Sequence, residues 1–254
     1  MSTWYPYRFS CPDCGAPNEL QLLKGIHIRR LPQVRAALLA GTLNQTTCTC
    51  GRTLRVEAPT VYTDFASGQY IAVERPWPTD VADARKRQRE VFDRCFTLGP
   101  DVAQQLGGEL QTRLVFGMLA LREKVLAWDA ALDDRILEVL KAQLISEADL
   151  DPRRVVLRLA EVLEGGHLLF TRLEPPTQRA GVPLPPPAGG ALREGSPLPP
   201  AGEVAVHQVG ATGLGWVTAP RRRYEQALMQ RTRGLEGLPW LGDPWLVDLY
   251  DGAS

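Results

Sequence analysis

Apolar and β-branched residues are concentrated in three short segments in the first third of the chain, a pattern that predicts β-strands. These segments are 19–29, 54–65 and 70–73. Ser67 and Gly68 provide a turn signal between the last two segments. We therefore expect those two strands to form a hairpin.

The pattern becomes helical over residues 31–39, with Pro32 in the first turn and Gly41 beyond the end. Proline is tolerated at a helix start because its missing N–H would have no partner there. Glycine is common after a helix because it adopts a positive φ without strain. We therefore predict that residues 1–75 form a β-rich module with a short helical insertion.

Helical periodicity dominates the middle of the chain. Residues 80–95 show a strongly charged face, and residues 118–145 indicate two helices that meet near Trp128. Asp133 and Asp134 stand where the second of these helices would begin. Acidic side chains at that position complement the helix dipole and pair with free backbone amides, so we expect a structural role for both.

Strand patterns return at 155–162 and 167–173, which we expect to form an antiparallel hairpin. The chain is therefore of the α+β class, with the N-terminal β module packed with, or linked to, a mixed helix and antiparallel-strand region at 76–173. Residues 174–202 are rich in proline and glycine and predict a flexible loop. Residues 203–254 would add a C-terminal strand, a helix and an aromatic tail.

The charge balance narrows the classes of function. The formal net charge is zero, with 29 Lys and Arg residues against 29 Asp and Glu residues. Such a chain has no global field that would attract nucleic acid or an acidic membrane. It also has no run of about 18 apolar residues and no signal-peptide pattern at its start. We expect a cytoplasmic protein with no membrane segment, and charge does not favour nucleic acid as a partner.

Four of the five cysteines form two tight pairs, Cys11 with Cys14 and Cys48 with Cys50. A glycine follows each pair, where a positive φ would bring backbone amides towards the sulfurs. In a reducing compartment, paired thiols bind metal or perform redox chemistry more often than they form disulfides. Zn²⁺ prefers four ligands in a tetrahedron, and thiolates neutralise its charge. We therefore predict a structural Zn²⁺ bound by all four cysteines in a zinc-ribbon-like module.

The second pair departs from the usual knuckle, because only Thr49 separates its cysteines. Alternatives therefore stay open: a metal-free remnant, weak zinc binding, a redox pair, or substitution of one ligand by His27. A redox cysteine is favoured at a helix N-terminus, whereas strand-like sequence follows Cys14. A site of four cysteines has no open position for water, so we expect no catalysis there. The fifth cysteine, Cys95, has apolar neighbours, and we expect a buried core thiol.

The C-terminal tail carries Trp240, Trp245 and Tyr250. Tryptophan and tyrosine are favoured anchors at protein interfaces, so these residues predict a docking segment for a protein partner. The alternative is that they pack back onto the body of the protein. The sequence identifies neither the partner nor the oligomeric state.

Two basic clusters support an alternative function, that of a nucleic-acid-binding regulator. Their members are Arg85, Lys86, Arg87, Arg89 and Arg94, and then Arg221, Arg222, Arg223, Arg231 and Arg233. Acidic residues interleave the first cluster, as on a solvated helix face. No catalytic motif occurs, so an enzyme would need a pocket that the sequence does not reveal. We therefore predict a non-enzymatic zinc-binding scaffold or protein-interaction module.

The order of these features resembles the CpXC domain family, bacterial and archaeal proteins named after two Cys-Pro-x-Cys motifs. The first motif stands at residues 11–14, and the segments similar to further parts of the family are 31–43, 54–71 and 121–136. The resemblance implies a metal role for Cys11, Cys14 and Cys50 by position. For Cys48 that role is an inference, because the second motif lacks the proline and has the shorter spacing. The resemblance implies no particular activity.

Overall fold

The computed structural model describes residues 4–76, 80–151, 154–173, 205–208, 213–234 and Trp245. The predicted loop at 174–202 lies outside the described residues, as do Trp240 and Tyr250. Within the described part, helices combine with mainly antiparallel sheets, which is an α+β arrangement.

Twelve strands form four sheets in the described part of the chain. Their bounds are β1 Trp4–Ser10, β2 Pro17–Leu23, β3 Gly25–His27, β4 Gln45–Thr47, β5 Thr53–Glu57, β6 Thr60–Asp64, β7 Gln69–Glu74, β8 Gln111–Phe116, β9 Val156–Val162, β10 Leu168–Leu173, β11 Ala205–Gln208 and β12 Gly213–Ala219. The α-helices are α1 Pro32–Leu39, α2 Val81–Phe92, α3 Asp101–Gly108, α4 Met118–Asp129, α5 Asp134–Glu147 and α6 Arg221–Gly234.

The N-terminal part contains two small sheets. Strands β1 and β2 pair antiparallel, and β5 lies between β4 and β11. The helical insertion is confirmed as α1, and Gly41 beyond its end has a φ of 72°. Arg122 of α4 donates to the Leu39 carbonyl (2.7 Å), and Arg55 of β5 donates to the Gly41 carbonyl (2.7 Å). Two other elements therefore hold the carbonyl end of α1, which its own helix leaves unpaired.

A four-stranded sheet in the order β3-β6-β7-β8 forms the centre of the protein. The predicted hairpin at Ser67 and Gly68 is confirmed by the antiparallel pairing of β6 with β7. Side chains alternate between its faces, so Ile71 and Val73 pack with α1 and α4 residues while Tyr70 packs on the α2 side. Gly117 joins β8 to α4 with a φ of 88°, a conformation that favours glycine.

The predicted hairpin of residues 155–173 is confirmed as β9 and β10, and β12 pairs with the other edge of β10. Helix α5 packs on this sheet together with α6. Strand β11 instead pairs antiparallel with β5, beside the N-terminal cysteines. A strand from the predicted 203–254 unit thus completes a sheet of the predicted 1–75 unit. The division of the chain into four units stays a prediction.

The expectation for Cys95 was wrong, because the structure places this thiol on the surface. The predicted helix 80–95 forms α2 and then widens into a π-helical turn at Asp93–Thr97. Phe92 at the end of α2 and Phe96 in this turn both contact Tyr70 on the central sheet. The two rings take the inward positions, so the cysteine between them is left facing solvent.

Candidate metal centre

Each cysteine pair lies in the turn of a β-hairpin. The first pair connects β1 to β2, and the second pair connects β4 to β5. In the first turn, the Gly15 amide donates to the Cys11 carbonyl (2.9 Å); in the second, the Gly51 amide donates to the Cys48 carbonyl (2.8 Å). Both glycines have a positive φ, 73° at Gly15 and 81° at Gly51, as their positions predict.

The second cysteine pair has one intervening residue instead of two, and its turn is correspondingly tighter. The first hydrogen bond spans four residues, from Cys11 to Gly15, whereas the second spans three, from Cys48 to Gly51. In both turns the amide of the first cysteine also donates, at 2.8 Å, to the carbonyl of the residue that directly precedes the following strand, Ala16 or Arg52. The turn at Cys48 and Cys50 therefore has the same two types of backbone hydrogen bond as the turn at Cys11 and Cys14.

The four sulfur atoms converge on one point. They all lie within 4.8 Å of one another, with 3.9 Å between Cys11 and Cys50 and 3.6 Å between Cys14 and Cys48. These separations exceed the roughly 2.05 Å of a disulfide bond, and all four cysteines are free. A tetrahedral site with metal–sulfur bonds of about 2.3 Å has sulfur–sulfur edges of about 3.8 Å. The cluster therefore has the size of a tetrahedral thiolate site.

The cluster is half enclosed by protein. Cys11 and Cys48 are buried, while Cys14 and Cys50 are exposed. The Asn18 side-chain amide donates to Cys48 Sγ (3.6 Å) and to the Ala16 carbonyl (2.9 Å), which holds its N–H towards the sulfur. Such a donor supports negative charge on a ligand sulfur and orients it.

Hydrogen bonds shift the pKa values of two of the four thiols in opposite directions. The pKa of Cys48 falls to about 6, chiefly because the Cys50 backbone amide donates to its sulfur, with Asn18 contributing. At Cys14 the Ala16 amide acts in the same direction, but hydrogen bonding with Cys50 and the other cysteine thiols raises its pKa to about 12. The proton is therefore lost most readily from Cys48 and held most firmly by Cys14. A bound cation would release that proton.

His27 does not join the cluster. It ends strand β3, where its Nδ1 atom lies 2.5 Å from Thr63 Oγ1 and its ring stacks on Phe65. Among the described residues, the four cysteines form the one group of three or more side chains placed to share a metal ion. The alternative in which His27 replaces a ligand is therefore not supported.

The tail residue Trp245 packs on the body of the protein. It is 5% exposed, its ring contacts Tyr70 and Phe92, and its carbonyl accepts a hydrogen bond from the Leu114 amide (2.7 Å). This is the alternative that the sequence left open, and it leaves Trp245 unavailable to a partner in this conformation. Docking through Trp240 and Tyr250 stays a prediction, since both lie outside the described residues.

Sequence reasoning missed a network of buried charges between α4 and α5. Six ionisable residues in it are no more than 2% exposed: Arg113, Glu123, Lys124, Asp134, Glu138 and Lys141. Lys141 Nζ lies 2.9 Å from Glu123 and 2.7 Å from Glu138, and Lys124 Nζ lies 3.2 Å from Glu138. No substrate could reach groups so enclosed, so the network holds the helices in position.

The network extends to the neighbouring strands. Arg113 of β8 donates two hydrogen bonds to Asp134 (2.7 and 2.9 Å), and Glu123 accepts from Arg158 and from the Leu159 amide of β9. Burial alone would raise the pKa of Asp134, but Lys124 and Arg113 outweigh it and hold that pKa well below its usual range. Asp133, by contrast, caps α5 as predicted, accepting from the Arg135 amide (2.9 Å). Two adjacent aspartates thus have different roles.

The basic clusters are partly neutralised by acidic neighbours. On α2, Arg87 lies 3.7 Å from Glu74; on α6, Arg221 lies 3.8 Å from Glu225, and Arg223 is paired with Glu147. These contacts fit the view that the clusters belong to solvated helix faces. They provide no observation in favour of nucleic-acid binding.

Comparison with known proteins identifies a family. The family model described as CpXC protein matches residues 9–141, just over half of the chain, and this segment contains all four clustered cysteines. No curated protein and no solved structure matches the chain. Within the described residues, no helix is both long and apolar enough to cross a membrane.

Proposed function

The chain belongs to the CpXC family, and we propose that it is a cytoplasmic, non-enzymatic protein in which a structural Zn²⁺ stabilises a scaffold or protein-interaction module. The ligands are Cys11, Cys14, Cys48 and Cys50. The observation that carries the proposal is the spacing of the four sulfurs, which fits the edges of a zinc–thiolate tetrahedron.

The donor set favours a structural zinc ion. Soft thiolate ligands in a tetrahedron select zinc or iron, and four protein ligands leave no position for a reacting water. Placement of each pair in a hairpin turn supports a zinc-ribbon-like module, since one ion would tie two hairpins together. Structural zinc sites supply about 10–16 kcal/mol of apparent binding free energy, which is coupled to folding.

The second hairpin passes this stabilisation to the rest of the protein. Strand β5 begins two residues after Gly51 and carries Glu57, which is 3% exposed and accepts from the Met118 amide at the start of α4 (2.8 Å). The same strand carries Arg55, which holds the end of α1. An ion that fixes the turn before β5 therefore stabilises the contacts of two helices.

Zinc per chain, measured by elemental analysis on untagged and freshly purified reduced protein, tests the proposal. We expect about one zinc ion per chain for the wild type and its loss in Cys48→Ser, together with a lower melting temperature. Cys95→Ser is the matched control, since Cys95 is exposed and outside the cluster. Folded wild-type protein without zinc, or with iron in its place, would refute the assignment.

A further inference from the structure

Strand β12 forms one edge of the sheet β12-β10-β9, and in the described part of the chain no strand pairs with that edge. Its residues 213–219 include no charged side chain and no proline, and Trp216 is 63% exposed. Proteins commonly protect an edge strand with charges, proline or a covering element, because its free backbone groups pair readily with other strands. The composition of β12 therefore leaves its edge open to pairing.

Two other sheet edges of the protein are covered by contacts with other elements. At the opposite edge of the same sheet, the Leu159 amide of β9 donates to Glu123 of α4 (2.6 Å). At the edge of the central sheet, the Leu114 amide of β8 donates to the Trp245 carbonyl (2.7 Å). Within the described ranges, no such contact is made with the free edge of β12.

The pairing of β9, β10 and β12 determines which backbone groups of β12 point outwards. In an antiparallel strand the N–H and C=O of one residue point to the same side, and consecutive residues alternate. The Leu159 amide points away from β10, so Phe170, its partner on β10, directs its backbone groups towards Val217 of β12. Val217 therefore pairs inwards, and its neighbours Trp216 and Thr218 direct their N–H and C=O groups to the free edge.

The regular part of this edge is symmetric about Val217. A shift in the register with β10 precedes it, and Pro220, which has no N–H group, follows it. Regular pairing is thus confined to residues 215–219, of which Val217 is the midpoint. A two-fold axis at Val217 therefore places Trp216 of one copy opposite Thr218 of another.

We propose that β12 pairs antiparallel with β12 of a second copy of this chain, which joins two three-stranded sheets into one continuous sheet. Trp216 of each copy exchanges N–H···O=C hydrogen bonds with Thr218 of the other, as opposed residues do in an antiparallel pair. The two Val217 side chains meet at the axis, on the face that packs against α5 and α6. This association goes beyond the zinc-dependent role proposed above and does not involve the cysteines.

Electrostatics favour a second copy as the occupant of this edge. The chain has a formal net charge of zero, so two copies do not repel each other at long range. Antiparallel pairing also separates the basic residues 221–223 of the two copies. The two Pro220 residues that precede them stand about 20 Å apart along the paired strands, which exceeds the Debye length of about 8 Å. The chain's own segment 174–202 is a poor alternative, because its many prolines lack the N–H groups that pairing needs.

Sedimentation velocity of the full, reduced chain tests the proposal, since reduction excludes dimers linked through the exposed cysteines. Between about 1 and 100 µM, we expect the mass to rise to twice the 28.0 kDa of one chain. Hydrogen–deuterium exchange in residues 213–219 should slow over the same range, because the outward N–H groups become paired. A wild type that stays monomeric would overturn the proposal; protected β12 amides in that monomer would show that another part of the chain covers the edge.

Thr218→Pro removes an N–H group that the proposed pairing uses and that the ladder with β10 does not. We expect dimerisation at least about tenfold weaker, because the same hydrogen bond is lost twice across the symmetric interface. Thr218→Val is the matched control, since it keeps the N–H group and the β-branched shape, and it should dimerise like the wild type. Trp216→Lys leaves the backbone unchanged but places a charge at the edge, so it should also weaken the dimer. A dimer that neither Thr218→Pro nor Trp216→Lys weakens would use another surface, and the proposal would be wrong.

Discussion

Lys141→Met tests the idea that the buried charges between α4 and α5 act as a compensated network. The Lys141 ammonium is fully buried and lies within 3 Å of both Glu123 and Glu138. Methionine has a similar length, so it leaves little empty space, but it removes the positive charge between two carboxylates. Glu123 would keep its contacts with Arg158 and the Leu159 amide, whereas Glu138 would keep its contact with Lys124.

The expected loss of stability is large. Removing one partner from a buried pair costs about 3–5 kcal/mol, because the remaining charge stays desolvated. For a chain of this length each kcal/mol lowers the melting temperature by about 2–4 °C, which gives a decrease of at least about 6 °C. Urea unfolding followed by circular dichroism would measure the change in midpoint at constant m.

Two controls make this test specific. Lys86→Met changes the same residue type on the exposed surface of α2 and should alter stability by no more than about 0.5 kcal/mol. Adding Glu138→Leu to Lys141→Met should restore part of the lost stability, because it removes a buried carboxylate that has lost one of its two lysine partners. If Lys141→Met is as stable as Lys86→Met, or if the double variant loses the sum of the two single losses, the network does not act in this way.

Two further predictions concern the tail and the acid range. Trp245→Ala should reduce the free energy of unfolding by about 3–5 kcal/mol, whereas Trp216→Ala, at a site 63% exposed, should change it little; equal urea midpoints for the two variants would show that Trp245 is not part of the core. The lowered pKa of Asp134 means that its stabilising contribution is complete above its unfolded pKa of about 3.9 and is lost as the pH falls further. Asp134→Asn should therefore be less stable at pH 7 and lose less stability between about pH 4 and pH 2, and parallel acid-unfolding curves would contradict the role of its pairs with Lys124 and Arg113.

The cysteine cluster was the most predictable part of the protein, because the sequence information that specifies each of its turns is local. Spacing of two cysteines and a following glycine fixes each turn, and Gly15 and Gly51 adopt the positive φ that their positions predict. The helix at 31–39 and the hairpin of residues 155–173 were also predictable, since each has a clear period and marked ends. Convergence of the two pairs was inferred from metal chemistry, and the structure confirms it with four sulfurs within 4.8 Å.

The buried network was not predictable from local pattern, because its partners come from four different elements. Asp134 carries the sequence signal of a helix start, yet it is buried with Arg113, which precedes it by 21 residues. A partial signal was present: Asp134, Glu138 and Lys141 recur at helical spacing on α5, beside the apolar stripe. Two of the four lysines in this arginine-rich chain also lie in the network. Neither signal identifies a partner without the tertiary fold.

The pairing of β11 with β5 shows that the folded sheet includes residues that lie outside the segment matched by the family model. A fragment ending at residue 141 would keep every matched residue and all four cysteines. It would nevertheless lack β11, so the backbone of β5 would become an open edge available to other chains. Glu123 would also lose its hydrogen bonds from Arg158 and from the Leu159 amide, and Lys141 would become the last residue of the chain. Residues beyond the family match therefore cover a β-strand edge that belongs to the matched segment.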